Sequence, residues 1–191
     1  MTLSLMLAIA LLLLTPGPTN ILLAIAGATG TSRRNGPLLL AGCLGYLVTV
    51  VPLVAFAGPL LAEHPLLASA LKLTSAAWVT LLAIKLWFTP LTELSETGLV
   101  TARQMFVTTM LNPKALIFGI AILPNGGFIE TLPRLGIFTA IVLGVSALWL
   151  SAGASVLRFA SRRFPCLFCR VASSFLMTFA VSLAASSFGW V

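Results

Sequence analysis

The sequence predicts an all-α integral membrane protein: six transmembrane helices arranged as two inverted three-helix repeats, the first and fourth helices broken. Three observations predict it. Of the 191 residues, 59% are apolar and only 8% are charged, against roughly 25% charged in a typical soluble domain. Those apolar residues gather into six windows, each near the roughly 20 residues that a helix needs to cross a bilayer. Two of the windows are interrupted by proline at matching places. A chain this short has too much surface for its volume to hide so much apolar side chain from water, and its mean hydropathy is +1.11. A water-soluble enzyme is excluded on those grounds. A disordered chain is excluded too, because disorder needs low hydrophobicity and high charge.

The windows follow in order. Leu3–Thr29 carries Thr15-Pro16-Gly17-Pro18 near its middle, and no basic residue precedes Arg33. A secretory signal has a positive segment ahead of its apolar run, so this first window is expected to be a true span. Pro37–Leu61 contains Ala41, Gly42 and Gly45, a small-residue face suited to close helix contact. Leu66–Phe88 has Lys72 and Lys85 near its ends, where long cationic side chains reach the interface. Gln104–Pro124 is interrupted at Asn112-Pro113-Lys114. Leu135–Leu157 and Val171–Val191 complete the set as one transmembrane domain over 1–191, with repeats of about 1–90 and 103–191.

Charge orients the spans. There are eleven Lys and Arg against four acids, a net charge of +7. The basic residues are scattered at span ends rather than gathered in a stripe, which argues against a nucleic-acid partner. Arg33, Arg34, Lys85, Arg103, Arg158, Arg162, Arg163 and Arg170 fall on one side of the bilayer; Arg134 and Lys72 fall on the other. Positive residues are retained in the cytoplasm, so both termini are expected outside it.

Pro113 follows Pro16 by 97 residues, and the same offset carries the second window onto the fifth. Three crossings per half place the second half upside down relative to the first. Matching interrupted spans in two such halves are the best sequence pointer to a substrate site. Thr and Asn are favoured helix N-caps, and proline is favoured at the first helical position. Thr15-Pro16 and Asn112-Pro113 therefore each read as one half-helix ending and another beginning. The new N-termini offer N–H groups and positive dipole ends to an anion; the outgoing carbonyls suit an ammonium. Such a pair suits a zwitterion such as an amino acid. The plainer alternative at each break is a proline kink re-satisfied by its neighbours.

Lys114 lies deep in its window, where an ionisable group is a functional candidate; its alternatives are snorkelling or bonding free carbonyls at the break. Asn20, close to the first break, offers both donor and acceptor, for ligand or for a neighbouring helix. All four Glu fall in loops. Cys166-Leu-Phe-Cys169 has redox spacing, yet a lone pair of this kind is a weak signal, and Cys43 reads as packing. No metal, cofactor or catalytic residue is expected.

Thr15-Pro16-Gly17-Pro18-Thr19-Asn20 together with Asn112-Pro113-Lys114-Ala115 resembles the LysE/RhtB family of amino-acid exporters, along essentially the whole chain. Thr19 stands where that family commonly has Asn. The resemblance implies secondary-active efflux of an amino acid or derivative across the bacterial inner membrane, driven by the proton gradient. It implies a translocation region lined by Pro16, Gly17, Pro18, Asn20, Asn112, Pro113 and Lys114, to which the capping argument adds Thr15. The partners expected are a small-molecule amino acid and the lipid bilayer, with a homo-oligomer left open. Two other classes are weighed. A transmembrane thiol relay of the CcdA/DsbD-like type needs a reactive cysteine at each break. A metal-cation exporter needs carboxylate, imidazole or thiolate ligands within the spans.

Overall fold

The computed structural model describes residues 3–29, 35–54, 65–88, 100–119, 128–157, 159 and 163–187. Every regular element among them is helical: α1 (Leu3–Leu14), α2 (Pro18–Thr29), α3 (Asn35–Pro52), α4 (Pro65–Phe88), α5 (Ala102–Met110), α6 (Pro113–Ile117), α7 (Phe128–Ala152) and α8 (Pro165–Ser187). A π turn over Gly153–Leu157 extends α7. Among the described residues, α3, α4, α7 and α8 are four helices long and apolar enough to cross a membrane, and α1 with α2 forms a fifth candidate, bent by 62° at its junction.

The fourth window differs from a full-length span. It divides into α5 and α6 on either side of Asn112, and its expected end at 120–124 lies outside the described residues. So do the end of the second window and Arg33, Arg34, Arg158 and Arg162, on which much of the orientation argument rests. The last helix starts six residues earlier than the Val171 expected, at Pro165. The amide of Phe168 donates to the Phe164 carbonyl at 2.9 Å. Phe164 is thus the cap and Pro165 the first helical residue, where a missing N–H costs nothing. Cys166 and Arg170 therefore belong to the first turns of α8 rather than to a loop.

Packing brings the two halves of the chain together. Helix α3 lies along α5 and touches α6, α7 runs along α2 and meets α1, and α4 pairs with α8. Small residues make the first two crossings close. A Cβ on Gly45 would sit 2.7 Å from the Phe106 carbonyl oxygen, as the small-residue face of the second window predicts. At the α2–α7 crossing, a Cβ on Gly27 would collide with the Leu150 carbonyl and one on Gly153 with the Ala24 carbonyl. Backbone meets backbone there, which is how helices gain dispersion contact where no water drives them together.

Two buried clusters result. One joins α2, α4, α5 and α8 around Leu23, Val79, Met105 and Leu176. The other joins α1, α3, α6 and α7 around Ile9, Val50, Ala115 and Phe138. Leu3, Leu7 and Leu11 on α1, and Leu40, Leu44 and Val48 on α3, stay exposed. Their four-residue spacing places each set on one helix face, a surface suited to acyl chains rather than water.

Candidate functional site at the two helix breaks

The site begins with the question of where the free backbone groups go, since a helix end in lipid cannot leave them to water. At the end of α1, the Thr15 amide donates to the Leu11 carbonyl (3.2 Å) and the Thr15 hydroxyl to the Leu12 carbonyl (2.7 Å). The Asn20 amide group reaches back from α2 and donates to the carbonyls of Leu13 (2.6 Å) and Thr15 (2.9 Å). The Thr15 carbonyl also accepts from Nζ of Lys114, at 2.5 Å. An ammonium therefore rests at the negative end of the α1 dipole, where a cation is stabilised.

The forward half of this break corrects the expected cap. Thr15 turns its hydroxyl back into α1 instead of capping α2. The Ile21 amide donates to the Gly17 carbonyl at 2.9 Å, so Gly17 is the cap and Pro18, rather than Pro16, is the first residue of α2. Either proline could open the helix. A Cβ on Gly17 would lie 3.2 Å from both Cε and Nζ of Lys114, so a larger residue there would press on the end of that side chain.

The second break follows its sequence closely. Asn112 is the cap and Pro113 the first residue of α6, with Asn112 Oδ1 accepting from the Lys114 amide at 3.1 Å. Behind it, the Met110 carbonyl at the end of α5 accepts from the Thr49 hydroxyl at 3.0 Å. Ahead of α5, Thr101 and Gln104 close a capping box.

A directed chain of hydrogen bonds joins the breaks. Asn112 Nδ2 donates to the Thr19 hydroxyl at 2.9 Å and to the Tyr46 hydroxyl at 3.4 Å. Thr109 spends its hydroxyl proton on the Met105 carbonyl (2.8 Å). Its contact with Thr19, at 3.3 Å, therefore has Thr19 as donor. Thr19, Asn20, Thr109, Asn112 and Lys114 are all buried, Lys114 with 6% of its surface exposed. A lysine so enclosed, ten residues into its window, is not snorkelling. Tyr46 is held from behind by Phe118 and Phe138, whose ring centroids lie 6.1 Å from its own, edge to face.

The eight residues singled out from sequence thus converge on one locality, with Thr15 and Pro16 exposed at its edge and Gly17, Pro18, Asn20, Asn112 and Lys114 buried within it. Thr19, Tyr46 and Thr109 were missed. The chain has a single tyrosine, in a span, and a buried phenol needs a partner; that signal was there to use. A cavity of about 230 Å³ between α2, α7 and α8 touches the break at Pro16 and is otherwise apolar, lined by residues such as Ile21, Trp149 and Phe168. Its walls offer little to a charged group, whereas the polar side chains gather at the breaks. Among the described residues, no three His, Cys, Asp or Glu come together. Cys43 and Cys169 are buried and Cys166 is exposed, and none of the three lies in a break.

A family model described as LysE type translocator matches residues 10–187, both breaks included. The chain belongs to that family. No curated protein and no solved structure matches it. As a LysE type translocator it is a multi-pass membrane transport protein, and the matched stretch runs from the middle of α1 to the last residue of α8.

Proposed function

We propose that this LysE type translocator exports an amino acid or amino-acid derivative across the bacterial inner membrane by secondary-active transport. The substrate binds near the midplane between the two broken helices, framed by Thr15, Pro16, Gly17, Pro18, Asn20, Asn112, Pro113 and Lys114. Its ammonium is received by the carbonyl end of α1. Its carboxylate faces the opening turn of α2 and the Thr19–Asn112 pair, where donors and a positive dipole end lie together. The two halves, about 1–90 and 103–191, act as inverted repeats, with both termini in the periplasm. The exchange of partners between halves, α3 on α5 and α6 and α7 on α1 and α2, supports that reading.

One observation carries the proposal. A primary ammonium, that of Lys114, already sits against the Thr15 carbonyl inside the membrane-spanning bundle. A seat that holds one alkylammonium has the chemistry to hold another. The test is release of a labelled amino acid from loaded cells expressing the protein, compared with cells carrying Asn112→Ala with Lys114→Ala. Faster release by the unaltered protein is expected; equal release would reject the assigned site. The thiol relay predicts instead that a cysteine-free variant is dead.

A further inference from the structure

We infer that the apolar cavity between α2, α7 and α8 is the side-chain subsite of the transporter, and that its substrate is an amino acid with a bulky apolar side chain, branched or aryl. The inference rests on the amino-acid reading above and deepens it by naming the substrate class.

The cavity follows from how the helices pair. Gly27 and Gly153 let α2 and α7 cross with their backbones in contact. Helix α8 pairs instead with α4, where the buried Ser173 hydroxyl donates to the Ala83 carbonyl at 2.6 Å. Between these two pairs, the residues that line the gap recur at helical spacing: Ile21 and Ile25 on α2, and Phe168, Ala172 and Phe175 on α8. The space between them measures about 230 Å³. An apolar cavity of about 150 Å³ already holds benzene, so a leucine or phenylalanine side chain fits.

The walls discriminate by chemistry. Among the described residues of the wall, only Trp149 has a polar side-chain atom, and that Nε1 is buried, so it adds no polar surface. A lysine or glutamate side chain placed there would lose its water and find no partner. An apolar one gains about fourfold in affinity for each carbon buried, the equivalent of about 0.8 kcal/mol per CH₂.

The cavity also meets the place where the substrate's charged end is held. Pro16 lines it, is exposed, and directly follows Thr15, whose carbonyl is the proposed ammonium seat. Neighbouring Cα atoms lie about 3.8 Å apart, so an amino acid seated at Thr15 has its side chain within reach of this space. A phospholipid acyl chain suits the walls too, since Val171 and Phe175 remain exposed on them, but it does not suit the break. Helix α1 has 12 residues, a rise of about 18 Å. That sets the break near the middle of the roughly 30 Å hydrocarbon core, far from any headgroup. A molecule with a charged end and a short apolar side chain uses both the break and the cavity.

The test is calorimetric titration of the full-length protein, in nanodiscs of phosphatidylethanolamine and phosphatidylglycerol, with each of the twenty proteinogenic amino acids singly. Kd is expected to fall about fourfold per added carbon from alanine to leucine, about 60-fold over the three. The heat-capacity change should grow more negative along the same series, as apolar burial requires. Ala172→Phe, which fills the cavity, should erase most of the difference between alanine and leucine. A flat series, or tighter binding of lysine or glutamate than of leucine, overturns the subsite and leaves the amino-acid reading standing. A full leucine preference in Ala172→Phe also overturns it, and loss of copurifying phospholipid from that variant would then make the cavity an acyl-chain groove. Absence of binding by all twenty overturns both readings. Should Ala172→Phe fail to fold, the series on the unaltered protein decides.

Discussion

The two breaks have similar sequences and opposite constructions. At Asn112 a single side chain both caps the outgoing helix and ties it to Thr19 and Tyr46, while Thr49 closes the carbonyl behind. The donors there are the buried Asn112 and Lys114 amides and the half-buried Thr49 hydroxyl. At Gly17 no side chain caps the outgoing helix, and the carbonyls behind are held by Asn20 and by a lysine from the other break. On the proposed function, the second break would serve as the frame and the first as the receptacle. A carbonyl held by a long flexible cation can change partners; one held by a threonine on a packed helix cannot.

The largest effect that would sharpen this contrast is expected from Asn112→Ala. It removes a cap worth about 1 kcal/mol and leaves Thr19 and Tyr46 without their donor at about 1–3 kcal/mol. Transport should fall to background and the chemical unfolding midpoint in detergent should drop clearly. Near-normal stability would mean that the second break is no frame. Next, Gly17→Ala should push the end of Lys114 aside, at a cost of about 1–2 kcal/mol typical of crowding a packed site. Labelled efflux should show a raised half-saturation concentration with little loss of protein from the membrane. An unchanged value would make the first break insensitive to its own ligand seat. Thr49→Val should cost about 1 kcal/mol of stability, by removing the donor to Met110, while half-saturation for efflux stays put. A shift in half-saturation would show that the frame also moves. Smallest, Trp78→Phe loses the bond from its indole to the Thr108 hydroxyl, 2.9 Å long, at about 0.5–1.5 kcal/mol. Hydrogen exchange along α5 should quicken slightly, with the breaks themselves unaffected.

Much of this was legible before any coordinates. Hydropathy marks the long helices because lipid permits no other backbone solution, and prolines mark both interruptions because they cannot continue a ladder. The second cap was legible to the residue, since Asn-Pro offers only one arrangement. The first was not. Pro16 and Pro18 are equally good openers, and nothing local in the sequence chooses between them. Thr19 and Thr109 were illegible for a different reason. A threonine in a span ordinarily bonds its own preceding turn, as Thr74, Thr80 and Thr139 do. Thr109 does the same with Met105, and nothing local marks it or Thr19 as also meeting across the two breaks. The start of α8 was obscured by its arginines, which made a helical turn look like loop.

The close backbone crossing at Gly27 and Gly153, where one meets Leu150 and the other Ala24, has a mechanical consequence. Interlocked side chains resist rolling because they must unmesh, but two bare backbones have nothing to unmesh. Ten residues separate Gly27 from Gly17, about 15 Å along the helix axis. A rock of about 10° on that fulcrum swings the near end of α2 by about 3 Å, one hydrogen-bond length. On the proposed function, such a tilt would carry the Gly17 cap away from the Lys114 side chain that it abuts.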